Sequence, residues 1–232
     1  MKKFFYLAMA VCTLGFAACN DDDNDKEKAP AKMEISSGTV TGDAVTDIVK
    51  VRATAEEFGI AAVEPTRSTA SKDATEDSQE PVIAENQLAS VDFTDGAFSM
   101  TLPAETALTT LTSLFPEGVP TGIKATNDKV KAFRAKFVAL DAQGNEIGML
   151  FNVSETVEVL YLYADDACNI TGEINDITLE IKAIKGWNKI FNVYTVTGEG
   201  EEKTSTLTKI TTNNQSGTAW YFAAAQVPAP AE

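Results

Sequence analysis

Alternation of apolar and polar residues recurs along most of this chain and constrains its fold more than any other feature. The clearest run is 177–183, and similar runs lie at 49–53 and 98–102. Residues that alternate with a period of two point to opposite faces of a β-strand, so each run predicts a strand with one buried face. Residues 157–163 are apolar apart from Glu158, which predicts a central strand covered on both sides.

Turn residues separate these runs. Asp95-Gly96 lies between two alternating segments, and a two-residue Asp-Gly link is a strong signal for a β-hairpin. Residues 143–145 and 198–200 predict two further hairpin turns. The strands are therefore expected to pair antiparallel.

Only one segment has helical spacing. After Pro103, the residues Leu108, Leu111 and Phe115 fall on one face at three- and four-residue intervals, and Pro116 ends the run. We expect a helix of about three turns that covers an edge of the sheet.

These patterns together predict an all-β domain over residues 33–232. The expected architecture is an antiparallel β-sandwich of immunoglobulin-like or transthyretin-like style, with about ten strands and one short helix. The competing architecture divides the chain into two small β lobes, 33–103 and 122–232.

The N-terminus predicts export. Two lysines precede the apolar run 4–14, and small residues then lead directly into Cys19. This order resembles the bacterial lipoprotein signal, in which the cysteine thiol receives a diacylglycerol and becomes the new N-terminus. The resemblance implies that residues 1–18 are a signal peptide and that Cys19 is lipidated.

Residues 19–32 are expected to be a disordered tether, because the block is polar and holds no apolar run to bury. Its acidic residues Asp21, Asp22 and Asp23 resemble the export signal of Bacteroidetes lipoproteins that reach the cell surface. The resemblance implies a lipid-anchored protein of the outer membrane that faces the cell exterior.

Three further segments are similar to stretches of uncharacterised cell-surface lipoproteins of the Bacteroidetes. They are 95–103, 161–165 and 185–189. Each segment is short and none is a catalytic signature, so the resemblance implies fold and location and transfers no activity or site residue.

Charge and composition exclude several functions. Once the two lysines of the signal are removed, 17 basic and 34 acidic residues give a net charge of −17, which disfavours nucleic acid as a partner. The chain has no histidine, so nucleophile arrangements that need histidine are absent. Cys168 has no cysteine to pair with once Cys12 and Cys19 are used, and we expect it to be a small packed side chain.

One group of carboxylates and two oxygen-rich segments are the candidates for acid chemistry or metal binding. Glu173, Asp176 and Glu180 are close in sequence, and a pair of carboxylates can hydrolyse glycans, yet neighbouring acids are expected by chance in so acidic a chain. The oxygen-rich segment 141–145 fails the EF-hand template for calcium, and Asp165, Asp166 and Asn169 could contribute to a calcium site only with another loop. Both segments are better explained as hairpin turns. We predict no resident metal and no cofactor.

Aromatic residues are the last candidates, because carbohydrate binding commonly uses exposed aromatic faces. Trp187 and Trp220 are the candidate ligand platform, with Tyr194 and Tyr221 as further supply. Since the neighbours of both tryptophans are apolar, core packing is the competing interpretation.

Three hypotheses of function follow. The first is a non-catalytic surface module, held on the membrane by its N-terminal lipid, that binds a glycan or a protein. The alternatives are a structural subunit of the envelope and a carboxylate-dependent glycan hydrolase.

Overall fold

The computed structural model describes residues 32–60, 66–67, 86–103, 111–198 and 203–225. The predicted signal peptide, Cys19 and the acidic run Asp21, Asp22 and Asp23 lie outside the described residues. The strands are β1 (Met33–Ser36), β2 (Thr41–Gly42), β3 (Lys50–Glu57), β4 (Thr66–Arg67), β5 (Gln87–Asp92), β6 (Ser99–Leu102), β7 (Thr112–Ser113), β8 (Ile123–Ala125), β9 (Lys131–Leu140), β10 (Glu146–Val153), β11 (Val157–Ala164), β12 (Cys168–Ile174), β13 (Ile177–Ala183), β14 (Gly186–Thr197), β15 (Thr204–Thr211) and β16 (Ala219–Ala224).

The fold is nearly all β, as the alternation predicts. Fourteen strands join in one sheet, in the order β2-β16-β10-β9-β11-β14-β15-β13-β12-β8, with β3, β5, β4 and β7 attached beside it. Strands β1 and β6 form a separate two-stranded sheet. Most pairs are antiparallel, but β13 pairs with β15 and β16 pairs with β2 in parallel, so the sheet is mixed and not antiparallel throughout.

Two hydrophobic cores lie on opposite faces of the central strands. Tyr161 and Tyr163 of β11 belong to the first core, whereas Leu162 and Ala164 belong to the second. The first core also contains Val51, Met100, Leu102, Phe133, Phe137, Leu150, Val159, Trp187, Phe191, Trp220 and Phe222. The second also contains Leu114, Phe115, Ile170, Ile177, Leu179, Ile181, Ile190, Leu207 and Ile210. The prediction that 157–163 forms a strand covered on both faces is confirmed.

The two predicted lobes are not separate in the described structure. All eight residues of β3 pair with β9, from Lys50 opposite Leu140 to Glu57 opposite Phe133. The ranges 33–103 and 122–232 therefore share one hydrogen-bonded sheet, and both supply side chains to the first core. A lobe boundary there would break this ladder of backbone hydrogen bonds.

The Asp95-Gly96 link forms the predicted tight turn but not the predicted hairpin. Both residues have positive φ, 53° and 74°, and Thr94 and Ala97 exchange backbone hydrogen bonds of 2.9 and 3.0 Å. Beyond the turn the strands separate, because β5 pairs with β3 and β6 pairs with β1. The turn thus passes the chain from the large sheet to the small one.

The predicted helix is wrong at its C-terminal end. Residues 104–110 lie outside the described structure, but Thr112 and Ser113 pair with β9 as a short strand, and Leu114 and Phe115 are buried in the second core. Extended backbone suits these residues because they close that core beside β9. One short 3-10 helix is described, Val45–Asp47.

Among the described residues, no helix has the length and apolar character needed to cross a membrane.

Candidate functional site

Two strands pair with the same edge of β9. Its residues 137–140 pair with β10, and its residues 132–134 pair with β11. Strands β10 and β11 pair with each other only next to their connecting turn, where Asn152 lies opposite Val159. Ala135 and Lys136 consequently have no strand partner on this edge. We call this opening, where β10 and β11 leave β9, the β-fork.

A cavity of about 190 Å³ occupies the β-fork. Its floor is formed by side chains of the first core, and its mouth by residues on the opposite face of the same strands. The floor residues are Phe137, Leu150, Val159, Tyr161 and Trp220. The mouth residues are Glu56, Arg134, Lys136, Met149, Phe151, Glu158 and Leu160.

Aromatic packing makes the floor rigid. The ring of Trp220 lies parallel to that of Tyr161, with centroids 6.0 Å apart and an interplanar angle of 12°. Phe137 and Phe98 both pack against Trp220 in T-shaped arrangements, with ring centroids 5.0 and 4.9 Å from that of Trp220. Such pairs add stability beyond the burial of their area, so the shape of the floor is set by the core.

One polar pair lies among these aromatic rings. Asn152 points toward the floor because it is paired with Trp220 and Val159, and its Nδ2 donates to the Tyr161 hydroxyl oxygen over 3.0 Å. Asn152 Oδ1 is buried and has no hydrogen-bond partner in the described structure. Turning the amide over would place the Nδ2 donors there instead, so either orientation leaves an unsatisfied polar atom in the cavity.

The tyrosine of this pair is almost completely buried, with 3% of its surface exposed. Burial raises the pKa of the Tyr161 hydroxyl above its ordinary value, and the hydrogen bond from Asn152 partly opposes that rise. The hydroxyl therefore stays protonated at neutral pH and can donate a hydrogen bond. With Asn152 donating to it in this way, the hydroxyl has no acceptor for its own proton among the described residues.

Charged residues of both signs surround the mouth. Arg134 approaches Glu56 Oε2 through both Nε and an Nη atom, each at 2.5 Å. Glu158 Oε2 accepts hydrogen bonds from Asn192 Nδ2 at 3.2 Å and from Tyr194 Oη at 2.9 Å. Lys136 has no ion-pair partner among the described residues. The four ionisable groups together carry no net charge.

An apolar strip continues from the mouth across the outer face of β10 and β16. Met149 and Phe151 line the cavity, and Phe151 lies opposite Tyr221 in the β10–β16 register. Met149 is 38% exposed and Tyr221 is 41% exposed. The strip Met149, Phe151 and Tyr221 therefore offers an accessible aromatic face directly beside the cavity.

The tryptophans do not form an exposed platform. Trp187 and Trp220 are 5% and 3% exposed, and Trp187 Nε1 donates to the Pro103 carbonyl oxygen over 2.7 Å. Both rings pack in the first core, as the core-packing interpretation predicts. Trp220 nevertheless contributes to the β-fork as part of its floor.

The candidate carboxylates lie outside the β-fork, on exposed positions of the β12–β13 hairpin. Asp176 lies in the turn between β12 and β13 with a φ of 64°. Glu180 forms an ion pair with Lys209, with Oε2 and Nζ 2.7 Å apart. Glu173 lies opposite Thr178 on an exposed face. None of the three lines the β-fork cavity, so paired-acid hydrolysis in that cavity cannot rest on them.

The oxygen-rich segments form turns in which the carboxylates accept hydrogen bonds from backbone N–H groups. Asp141 Oδ1 accepts from the backbone N–H groups of Gln143 and Asn145 at 2.9 and 2.8 Å. The side-chain amide of Asn145, 3.0 Å from Asp141 Oδ2, is the largest factor that lowers the pKa of this carboxyl group. Asp165 Oδ1 similarly accepts from the Lys131 N–H at 2.8 Å. Within the described ranges, no cluster of three or more Cys, Asp or Glu residues could hold a metal ion.

The sequence contains one signal that pointed to the β-fork. Glu158 is the single charged residue in the apolar run 157–163, and Asn152 ends the apolar run of β10. Polar residues inside apolar strands are costly unless they are paired or used. Asn152 meets Tyr161 in the floor, and Glu158 lies at the mouth, because β9 pairs with two strands along one edge, which no local pattern indicates. Cys168 is buried, with Sγ 3.2 Å from the Asn127 carbonyl oxygen, as expected for a packed side chain.

Known proteins add no assignment to this geometry. Comparison with protein-family models, curated proteins and solved structures finds no match. The physical case for a function of this chain therefore rests on the β-fork, its buried polar pair and the apolar strip beside it.

Proposed function

We propose that this chain is a non-catalytic binding module, held at the outer face of the outer membrane by a lipid on Cys19, which binds a glycan or a protein partner at the β-fork. The observation that carries the proposal is the cavity that Asn152 lines, together with the buried and unpartnered Oδ1 of that residue. A buried polar atom without a partner is destabilising in the free protein. A ligand that donates to this atom gains a hydrogen bond in a site from which water is largely excluded.

The charged residues at the mouth support binding over catalysis. Glu56 is held by Arg134, and Glu158 accepts two hydrogen bonds through one oxygen. Both carboxylates therefore act as hydrogen-bond and ion-pair acceptors, whereas glycoside hydrolysis by paired acids needs one of them to act as a proton donor. A histidine is not present to take that role.

A binding screen tests the proposal. The mature chain, with Cys19→Ser so that it remains unlipidated, is applied to arrays of glycans and of peptides. Asn152→Ala should weaken binding at least tenfold, because the ligand loses its acceptor. The matched control is Asn169→Ala, which removes an exposed amide on β12 and should leave binding unchanged. Ligands that bind equally well to both variants would place the site elsewhere.

The anchor and location need a separate experiment on whole cells. Radioactive palmitate should label the wild-type protein and not the Cys19→Ala variant. Protease added outside should remove the domain from intact cells, and replacing Asp21, Asp22 and Asp23 with alanine should protect it. Continued cleavage of the triple variant would contradict the role proposed for the acidic run.

A further inference from the structure

We infer that the β-fork receives one uncharged six-membered sugar ring, and that the strip Met149, Phe151 and Tyr221 carries the ring next to it. This inference rests on the proposed function and names the ligand of the same site. It is argued from the volume of the cavity, the chemistry of its walls, the charge of its mouth and the face beside it.

Volume limits the ligand to a single ring. The cavity holds about 190 Å³, whereas pockets for drug-sized ligands occupy about 300–1,000 Å³. A cavity of about 150 Å³ is large enough for a benzene ring. One six-membered ring therefore fits the β-fork, and a disaccharide or a peptide segment does not fit inside it.

The walls match the two-sided chemistry of a sugar. The floor is apolar and aromatic, with Tyr161 and Trp220 nearly parallel and Phe137 at 75° and 82° to them, and such a surface suits the C–H groups of a pyranose ring. Sugar hydroxyl groups both donate and accept hydrogen bonds, so one hydroxyl can donate to Asn152 Oδ1 and another can accept the Tyr161 proton. An apolar ring would leave both polar atoms unsatisfied.

The mouth favours a ligand without charge. Arg134 and Glu56 neutralise each other in an ion pair. The remaining ammonium group of Lys136 and carboxylate of Glu158 carry opposite charges at the same opening. The carboxylate of a uronic acid would be attracted by Lys136 but repelled by Glu158. Neutral hydroxyl groups can form hydrogen bonds with either group at no electrostatic cost.

The apolar strip accounts for a second ring. Phe151 lies at the mouth and Tyr221 lies beside it on the adjacent strand. Because Tyr221 is 41% exposed, its ring is accessible to a sugar that remains outside the cavity. The terminal ring of a chain is therefore expected in the β-fork, with its neighbour on the strip.

The test uses the mature chain with Cys19→Ser and four kinds of probe, each titrated by calorimetry and by NMR. The probes are methyl glycosides of glucose, galactose, mannose and N-acetylglucosamine, the corresponding disaccharides, methyl glucuronide and cyclohexanol. We expect at least one neutral methyl glycoside to bind at least tenfold more tightly than both methyl glucuronide and cyclohexanol.

Three variants locate the rings. Asn152→Leu keeps the volume of the side chain and removes its polar atoms, so it should weaken the monosaccharide at least tenfold. Tyr161→Phe keeps the aromatic floor and should weaken the binding of the monosaccharide several-fold. Tyr221→Ala should weaken only the disaccharide, to the affinity of the monosaccharide. The control Asn169→Leu should change neither affinity.

The outcomes separate this inference from the proposed function. One outcome is that array ligands bind the wild type but not Asn152→Leu, while no neutral glycoside binds or methyl glucuronide binds more tightly than the neutral glycosides. That result would overturn the sugar-ring inference and leave the proposed binding module intact. If Tyr221→Ala weakens both sugars equally, the placement of the second ring is wrong. If no array ligand depends on Asn152, both proposals fail.

Discussion

The side chain of Asn152 on β10 is hydrogen-bonded to the buried hydroxyl of Tyr161 on β11 over 3.0 Å. This bond joins the two strands just beyond the point where their backbones cease to pair with each other. The width of the β-fork is therefore held by a side-chain contact in place of a backbone ladder. Burial raises the pKa of that hydroxyl above its ordinary 10.0.

A raised tyrosine pKa makes stability depend on alkaline pH. The neutral hydroxyl is favoured in the folded protein, so its contribution is fully present below the unfolded pKa of about 10 and is lost as pH rises through the folded pKa. The free energy of unfolding, measured by urea titration, should fall above pH 10. Tyr161→Phe should be less stable at pH 8 by about 1–3 kcal/mol, since Asn152 loses its partner.

Above pH 10 the difference between wild type and Tyr161→Phe should narrow, because the variant has no hydroxyl to ionise at this position. Tyr221→Phe is the matched control, since its hydroxyl belongs to a 41% exposed residue, and it should follow the wild-type curve. A constant difference between wild type and Tyr161→Phe from pH 8 to 11 would contradict the link between burial and ionisation.

Asn188 stabilises the connection between β13 and β14. Its Oδ1 accepts from the Ile184 N–H at 2.9 Å, and its Nδ2 donates to the carbonyl oxygens of Ile184 and Gly186 at 2.8 and 2.9 Å. Asn188→Asp keeps the shape but replaces two donated bonds with a carboxylate facing two carbonyl groups. We expect a loss of at least about 2 kcal/mol in the free energy of unfolding.

Urea unfolding of Asn188→Asp at neutral pH gives the measurement. Asn169→Asp introduces the same charge at an exposed position and should cost less than about 0.5 kcal/mol. Equal losses in the two variants would show that net charge, and not the hydrogen bonds of Asn188, determines the effect.

Local pattern was sufficient to predict the strands with the clearest alternation but not all of them, since about ten were expected, sixteen are described, and β7 lies in the segment predicted as a helix. Ile177, Leu179 and Ile181 are all buried, as their alternation predicts, and the covered strand 157–163 has a different core on each face. These features depend on the alternation of apolar and polar residues and on which side chains become buried, both of which can be seen in a short segment.

The pairing of distant strands was not predictable in the same way. The turn at Asp95-Gly96 indicates a hairpin locally, yet β6 pairs with β1 because Met100 and Ile35 are both buried in the first core. The β-fork likewise requires β9 to pair with two strands along one edge. Its residues are polar members of apolar strands, and only the tertiary packing brings them together.

Gly148 lies where β10 is enclosed by β9 and β16. Its φ is +156°, and an added Cβ would meet the Ala223 carbonyl oxygen and come within 2.6 Å of a Phe222 ring carbon. Gly148→Ala must therefore move β16 or open the bulge in β10, and should cost about 3 kcal/mol or more. Gly144→Ala is the control, because φ there is +85° with no atom within 4 Å of the new Cβ.

The control should cost about 1 kcal/mol, which is the strain of a positive φ alone. Thermal and urea unfolding, monitored by circular dichroism, measure both variants. A Gly148→Ala protein as stable as the Gly144→Ala protein would show that β16 yields easily, and that the sheet beside the β-fork is not tightly packed.

Trp220 and Tyr221 are neighbours in sequence but face opposite sides of β16. Trp220 is 3% exposed and packs against Phe98, Phe137 and Tyr161, whereas Tyr221 is 41% exposed. Trp220→Ala leaves a cavity under the β-fork and should lower the free energy of unfolding by about 3–5 kcal/mol. Tyr221→Ala removes a partly exposed ring and should cost less than about 1 kcal/mol.

This difference matters for any test of binding. A loss of ligand in Trp220→Ala reports the collapse of the floor together with any lost contact, so it does not identify a stacking surface. A loss of ligand in Tyr221→Ala occurs in a protein that is still folded, and therefore does identify one. Urea unfolding of both variants checks the assignment of the two faces, and equal destabilisation would mean that β16 presents Tyr221 to a packed surface as well.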